Sequence, residues 1–477
     1  MLFPTITFAI FLMIVLPLSW ILMPQRNRWK LFMIAASYFF YGYWNWRFVF
    51  LIAASSIFNW AIGGAIFRRR RERARRRLLV LAVVANLAVL GYFKYYDFFV
   101  GEASSLFHHL GIDISDAILR ITLPVGISFF TFQALSYVID IYRRTFEPVG
   151  ALDFAVYLSF FPHVVAGPIV RAAEFLPQLR ERHDPRRIDA SRAFFLIFIG
   201  LFKKVVIANF LATEIVDRVF ASPTRHSSLE MLVGIYGYAV QIYCDFSGYT
   251  DMAIGIALLL GFRFPQNFDS PYSATSLQDF WRRWHMTLSR WLRDYIYIPL
   301  GGNRGGEART YRNLFLTFLL GGLWHGAAWT FVVWGAIHGG FLAFEHWRRT
   351  RRERLGLPEL ADTVGRRCVR RIVIFQVVCF AWIFFRAESF GNAWDVIVRV
   401  VSVNHWFDAS PLVHVSILVA IAVGIGEQYI PRQALARAMS SFSRLTPVAQ
   451  GVILGFALLL TNTMGPRGVA PFIYFRF

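Results

Sequence analysis

What most constrains this chain is a repeated alternation: apolar stretches long enough to cross a bilayer, separated by short clusters of arginine. Ile6–Leu22, Phe48–Phe67, Leu78–Phe93, Ile121–Tyr142, Ala193–Leu211, Met231–Phe262, Leu412–Ile425 and Val452–Leu460 are such stretches. A helix needs ~20 apolar residues to cross a hydrocarbon core ~30 Å thick, and most of these approach or exceed that length. Inside lipid the backbone must satisfy its own hydrogen bonds, so such runs are helices. With 56% hydrophobic residues in a chain of 477, a water-soluble fold would leave too much apolar surface exposed. The sequence predicts an all-α, polytopic transmembrane helical bundle, read as one membrane domain over residues 1–477 with no internal repeat.

The net charge of +21 is placed for topology, not for nucleic acid. "PQRNRWK" (Pro24–Lys30), "RRRRERARRR" (Arg68–Arg77), "LRERHDPRR" (Leu179–Arg187) and "WRRTRRER" (Trp347–Arg354) abut apolar spans. Gly101–Leu119 has no Lys or Arg but carries Glu102, Asp113 and Asp116. Loops rich in Lys and Arg stay cytoplasmic, which sets the N-terminus outside: Pro24–Lys30 in, Trp44–Trp46 out, Arg68–Arg77 in, Gly101–Leu119 out, Arg143 and Arg144 in. A nucleic-acid surface would interleave those arginines with stacking aromatics on one folded face. The first span lacks a basic leader and a small-residue cleavage site, so it reads as a retained helix. Cys244, Cys368 and Cys379 have neither disulfide nor metal-ligand spacing and are expected to be small buried hydrophobes.

Two stretches depart from simple spanning. "YLSFFPHVVAGPIVR" (Tyr157–Arg171) is apolar but broken by Pro162, Gly167 and Pro168, with basic flanks on both sides, so a re-entrant or interfacial hairpin is expected. In "DFWRRWHMTLSRWLRDYIYIPLGGNRGG" (Asp279–Gly306), Trp281, Trp284, His285, Leu288, Trp291 and Leu292 fall within an arc of roughly 120° on a continuous helix. That predicts an interfacial amphipathic helix with His285 on its apolar face.

"GGLWHGAAWTFVVWGAIHGG" (Gly321–Gly340) carries two histidines in an apolar run. His325 lies near the middle of the hydrophobic segment, whereas His338 is about nine residues from the basic run at its end. On an unbroken helix they stand ~20 Å apart and about 220° around the axis, so they share a site only if the segment bends. An ionisable side chain deep in a membrane marks function by default, and the glycines beside His325 admit a close approach. A neutral imidazole suits general-base chemistry, taking the proton of a hydroxyl that attacks an acyl carbonyl. No GxSxG elbow or HExxH zinc site accompanies the histidines, which favours direct transfer from a thioester. Ligation of zinc by His163, His285 and His325 has no supporting Cys or carboxylate spacing, so no metal is expected. In "YCDFSGYTDMAIG" (Tyr243–Gly255), Asp245, Ser247, Thr250 and Asp251 form either a satisfied polar knot or part of a chamber lining. Asp245 and Asp251 point about 120° apart on one helix, against a carboxylate pair.

At these residues the chain resembles the membrane-bound O-acyltransferases, in the bacterial branch that includes alginate O-acetylation. The carrying motifs are "FFPHVVAGPIVR" (Phe160–Arg171), "QIYCDFSGYTDMAIG" (Gln241–Gly255), "FWRRWHMTLSRWLRDYIYIPLGGN" (Phe280–Asn303) and "GGLWHGAAWTFVVWG" (Gly321–Gly335). They place the motif core at about residues 121–340, and the resemblance is faint after about Arg366. It implies a multi-helix bundle around a tunnel, a catalytic histidine at His325 and a polar partner at His285, forty residues upstream. It also implies acetyl transfer from a cytoplasmic donor, acetyl-CoA, outward across the bacterial cell membrane to an envelope polysaccharide, with an extracytoplasmic SGNH-type acetyltransferase completing delivery. No bound cofactor is implied. Asp245, Ser247, Asp251, His163 and Trp324 become tunnel-lining candidates. Arg290, Arg293, Asn303 and Arg304, on or beside the glycine-rich turn "PLGGNRGG", are candidates for holding the donor's phosphates, although the turn matches no phosphate-loop pattern. Two competing readings stand beside this one. The first is a relative that uses a carrier-protein thioester, as in D-alanylation, or acylates a lipid or protein. The second is a transporter for a glycan or lipid precursor, which moves substrate without covalent change.

Overall fold

The computed structural model describes residues 1–110, 121–165, 167–358, 361–464 and 473. Among them the regular secondary structure is helical throughout, with no strand. The acid-bearing loop around Asp113 and Asp116 lies outside the described residues. Two compact units are formed, Met1–Ala193 with Ala253–Pro265, and Phe194–Met252 with Gln266–Phe477.

The first unit contains α1 (Ile6–Leu22), α2 (Arg26–Gly42), α3 (Arg47–Arg68), α4 (Glu72–His109), α5 (Ile127–Tyr142), α6 (Ala151–Ser159), α7 (Phe161–Val164) and α8 (Ala172–Phe175). Its arginine clusters fall at helix ends, at the start of α2 and between α3 and α4, as the charge pattern predicts. The buried amides of Asn59 and Asn86 bond reciprocally at 3.1 and 2.8 Å, tying α3 to α4. The Tyr157–Arg171 stretch is no continuous helix. α6 stops at Ser159 and the single turn of α7 follows, while residues 165 and 167–171 are not helical. Gly126, at φ +74°, lies so close to the Val164 carbonyl that a Cβ there has no room.

The second unit holds most of α9 (Ala190–Ala221) and α10 (Ser228–Leu259), then α11 (Leu277–Arg283), α12 (Met286–Leu292), α13 (Glu307–His325), α14 (Trp329–Arg354), α15 (Val364–Arg386), α16 (Phe390–Val401), α17 (Val415–Gly426), α18 (Arg432–Ser443) and α19 (Pro447–Met464). Among the described residues, α3, α4, α9 and α15 are each long and apolar enough to cross a membrane. The bent pair Val415–Tyr429 and Gln433–Ser443, at 95°, is a broken span or a re-entrant loop. α9 winds as π-helix over Phe202–Ala208 and Ala212–Val216.

Two expectations need correction. The Asp279–Gly306 stretch is not one helix, because the chain breaks at Trp284–His285 into α11 and α12. Cys368 is exposed among the arginines that open α15, while Cys244 and Cys379 are buried as expected. The bend left open for the Gly321–Gly340 run is present: the run breaks at Gly326–Ala328, and its halves fold back on each other as a hairpin.

Candidate active site

The hairpin is made by glycine. Gly322 of α13 faces the Phe331 carbonyl and the Gly335 Cα, and Gly335 of α14 faces the Phe318 carbonyl and the Leu319 Cα. Gly339 lies against Phe315 in the same seam. Small residues let two helices approach backbone to backbone in lipid. Arg312 on one arm and Arg348 to Arg354 on the other mark the charged base, and His325 closes α13 at the tip. Thirteen residues of helix separate Arg312 from the tip, ~20 Å along the axis. His325 is 2% exposed, with Trp334 at 4.9 Å, Phe385 at 5.2 Å and Trp324 at 5.0 Å between ring centroids.

His338 takes a different part. Its Nδ1 accepts the indole N–H of Trp281 at 3.3 Å, so it ties α11 to α14. Glu345 makes a second tie by accepting the N–H groups of Leu277 and Gln278, at 2.7 and 3.1 Å, which caps the α11 N-terminus. These two ties fix α11 against the hairpin. His285 then follows in the turn between α11 and α12, fully buried. Its backbone is left-handed, at φ +40° and ψ +54°, a conformation that costs a non-glycine residue roughly 1–2 kcal/mol.

The turn is gripped by Asn267. Its backbone carbonyl accepts from the Met286 N–H at 2.9 Å. Its side-chain oxygen accepts from the Thr287 N–H at 3.1 Å and the Thr287 hydroxyl at 2.8 Å, and lies 3.1 Å from His285 Nδ1. Phe246 packs edge-on to the His285 ring at 4.6 Å. Trp324 stands 6.1 Å from the His285 ring and packs edge-on to His325 at 5.0 Å, so one indole flanks both histidines. The break at His285 and the fold-back at Gly326 bring together side chains forty residues apart.

Not every sequence candidate joins this cluster. Asp245 forms an ion pair with Lys204, each about 3% exposed, and Asp251 pairs with Lys203 at 3.2 Å. Glu427 also reaches Lys203, at 3.5 Å. The two aspartates thus make the polar knot between α9 and α10, consistent with their pointing apart. Ser247 is buried on α10 between them. His163 belongs to the first unit, where its Nε2 donates to the Tyr157 carbonyl at 2.8 Å among the rings of Phe160, Phe175 and Phe264. Arg290 is half-buried on α12, and Arg293 is held by Asp294 in a two-pronged pair at 2.6 and 3.2 Å. Asn303 and Arg304 are exposed on a loop whose Gly301, Gly302 and Gly306 all have positive φ. Among the described residues no group of three or more His, Cys, Asp or Glu side chains is gathered to hold a metal.

Lys203, Lys204 and Asn267 did not figure among the sequence candidates. The lysines had a readable signal, since two consecutive cations inside the apolar Ala193–Leu211 run require acidic partners. Asn267 had none, because its importance depends on a turn eighteen residues away.

The helices and the site define an integral membrane protein with two buried histidines beside one indole. Comparison with known proteins agrees. A model of the MBOAT, membrane-bound O-acyltransferase family matches residues 93–360, which contain both histidines. The chain is 42% identical over 405 residues to the "Probable alginate O-acetylase AlgI" of Azotobacter vinelandii, covering 83% of this chain and 78% of that one. It is 38% identical over 407 residues to the "Peptidoglycan O-acetyltransferase" of Helicobacter pylori, covering 79% and 74%. The "Teichoic acid D-alanyltransferase" of Bacillus subtilis is 28% identical, over 56% of this chain and 70% of its own. The protein belongs to the membrane-bound O-acyltransferase family and is a multi-pass O-acyltransferase.

Proposed function

We propose that this enzyme moves acetyl groups from acetyl-CoA on the cytoplasmic side of a bacterial cell membrane to hydroxyls of an envelope or extracellular polysaccharide. In this reading an extracytoplasmic SGNH-type acetyltransferase completes the delivery. The carrying observation is that His285 and His325 converge on Trp324 inside the helical core of the second unit. His325 takes the proton of the acceptor hydroxyl as its oxygen attacks the thioester carbonyl. The tetrahedral intermediate expels the thiolate, the thiolate collects that proton, and ester and thiol result. His285 orients the acceptor or polarises the thioester. The donor is anionic and cytoplasmic, so Arg290 and Arg304 are its phosphate contacts; Arg293, already paired to Asp294, contributes less. The names of relatives that acetylate alginate and peptidoglycan support a polysaccharide acceptor over a lipid or protein.

The test uses purified protein and acetyl-labelled acetyl-CoA, following thiol release and label transfer. His325→Ala is expected to lower turnover by about 10²–10⁴-fold while remaining folded. A wild type that releases no thiol from acetyl-CoA but does so from an acyl-carrier thioester would transfer the reading to the carrier-dependent branch.

A further inference from the structure

The pattern of donors around Asn267 settles the protonation of His285. The Thr287 backbone N–H, 3.1 Å from the side-chain oxygen of Asn267, can only donate. The atom facing it is therefore the amide oxygen, and the orientation of the amide is decided. His285 Nδ1 lies 3.1 Å from that same oxygen, which has no proton to give. Nδ1 must carry the hydrogen. In a neutral imidazole the other nitrogen, Nε2, then bears the lone pair. The rings packed on His285, those of Phe246, Phe268 and Trp324, carry no charge and favour the neutral form.

We propose that Asn267 is a positioning residue that holds His285 as its Nδ1–H tautomer, so that Nε2 accepts a hydrogen bond from a second hydroxyl of the acceptor, beside the attacking one whose own proton goes to His325, and does not donate to the thioester carbonyl. This rests on the reading that His285 belongs to the reaction centre, and it decides between the two roles left to it. A lone pair repels a carbonyl oxygen, whereas it receives an O–H directly. Asn267 also clamps the strained turn itself, since its carbonyl and side chain hold the next two residues, Met286 and Thr287. The turn that carries His285 and its tautomer are thus set by one residue.

The experiment compares Asn267→Ala, Asn267→Asp and His285→Ala in purified protein, measuring kcat for acetyl transfer against pH. Aspartate keeps an acceptor oxygen toward Nδ1 and Thr287 but adds a charge that favours the imidazolium. Asn267→Asp is therefore expected to retain most of the wild-type kcat at alkaline pH, with the acid limb of its profile moved up by about one unit. Asn267→Ala is expected to lose roughly tenfold or more in kcat at every pH, with KM for acetyl-CoA little changed. If Asn267→Asp is folded yet as inactive as Asn267→Ala at all pH values, or if Asn267→Ala has wild-type kcat, the tautomer assignment is wrong. If His285→Ala itself turns over at the wild-type rate, it is the placement of His285 in the reaction centre that fails.

Discussion

Lys204 and Asp245 form a buried ion pair between α9 and α10. Each is about 3% exposed, and each neutralises a charge that the other could not keep alone in this interior. Lys204→Met leaves the carboxylate buried without its amine and is expected to cost about 3–5 kcal/mol of stability, seen as a lowered Tm in detergent. Replacing both, as Lys204→Met with Asp245→Leu, should recover most of that loss, because paired removal takes away the charge and its obligation together. If Asp245 instead met the substrate, the double variant would be stable but inactive. His338 offers a parallel contrast with His325. A substitution at His338 that cannot accept from Trp281 loosens α11, so His338→Ala should lower stability before it lowers the rate at which folded protein works.

At the scale of elements, the hairpin of α13 and α14 places His325 only if its arms meet at their glycines. A Cβ at Gly335 would press on the Phe318 carbonyl and the Leu319 Cα, whereas one at Gly340 meets nothing within 4 Å. Gly335→Ala is expected to destabilise by about 1–3 kcal/mol and reduce kcat, since spreading the arms shifts the tip. Gly340→Ala, in the same helix, should be neutral or stabilise by about 0.5–1 kcal/mol. Thermal unfolding and turnover of the two variants side by side separate packing from helix propensity. Spans such as α3, which contains the stretch Phe48–Phe67, were legible in the sequence because length and apolarity alone dictate them, whereas Ile6–Leu22 forms the shorter helix α1. The breaks were less so. A helical wheel drawn through Trp281–Leu292 assumes helical φ and ψ at every residue, and His285 violates that assumption for reasons lodged in Asn267. The fold-back had a visible mark in Gly326, but a glycine in an apolar run equally suits a continuous helix. Position along one segment set His325 apart from His338 in the sequence, and in the structure that segment is two helices.

For the molecule as a whole, the direction of transfer depends on topology, and topology rests on arginine. The cationic loops at Pro24–Lys30, Arg68–Arg77 and Trp347–Arg354 are cytoplasmic if they obey the bias of short loops, and so is the arginine-flanked start of α15 that carries Cys368. Cys368 is an exposed native thiol, whereas Cys244 and Cys379 are buried. In intact cells a membrane-impermeant maleimide should leave the wild type unlabelled, and permeabilisation should expose Cys368. Moving the thiol to the opposite face, as Asn45→Cys in a Cys368→Ser background, should reverse the result, because Asn45 sits in the short turn between α2 and α3. A wild type labelled in intact cells would put the arginines outside. That outcome would remove Arg290 and Arg304 from the donor's side and with them the cytoplasmic acetyl-CoA reading, while leaving the two histidines and their shared indole untouched. Labelling as expected puts the cationic face on the cytoplasmic side, the side of the proposed acetyl-CoA donor, and in that reading only the acetyl group, small and uncharged, has to pass outward.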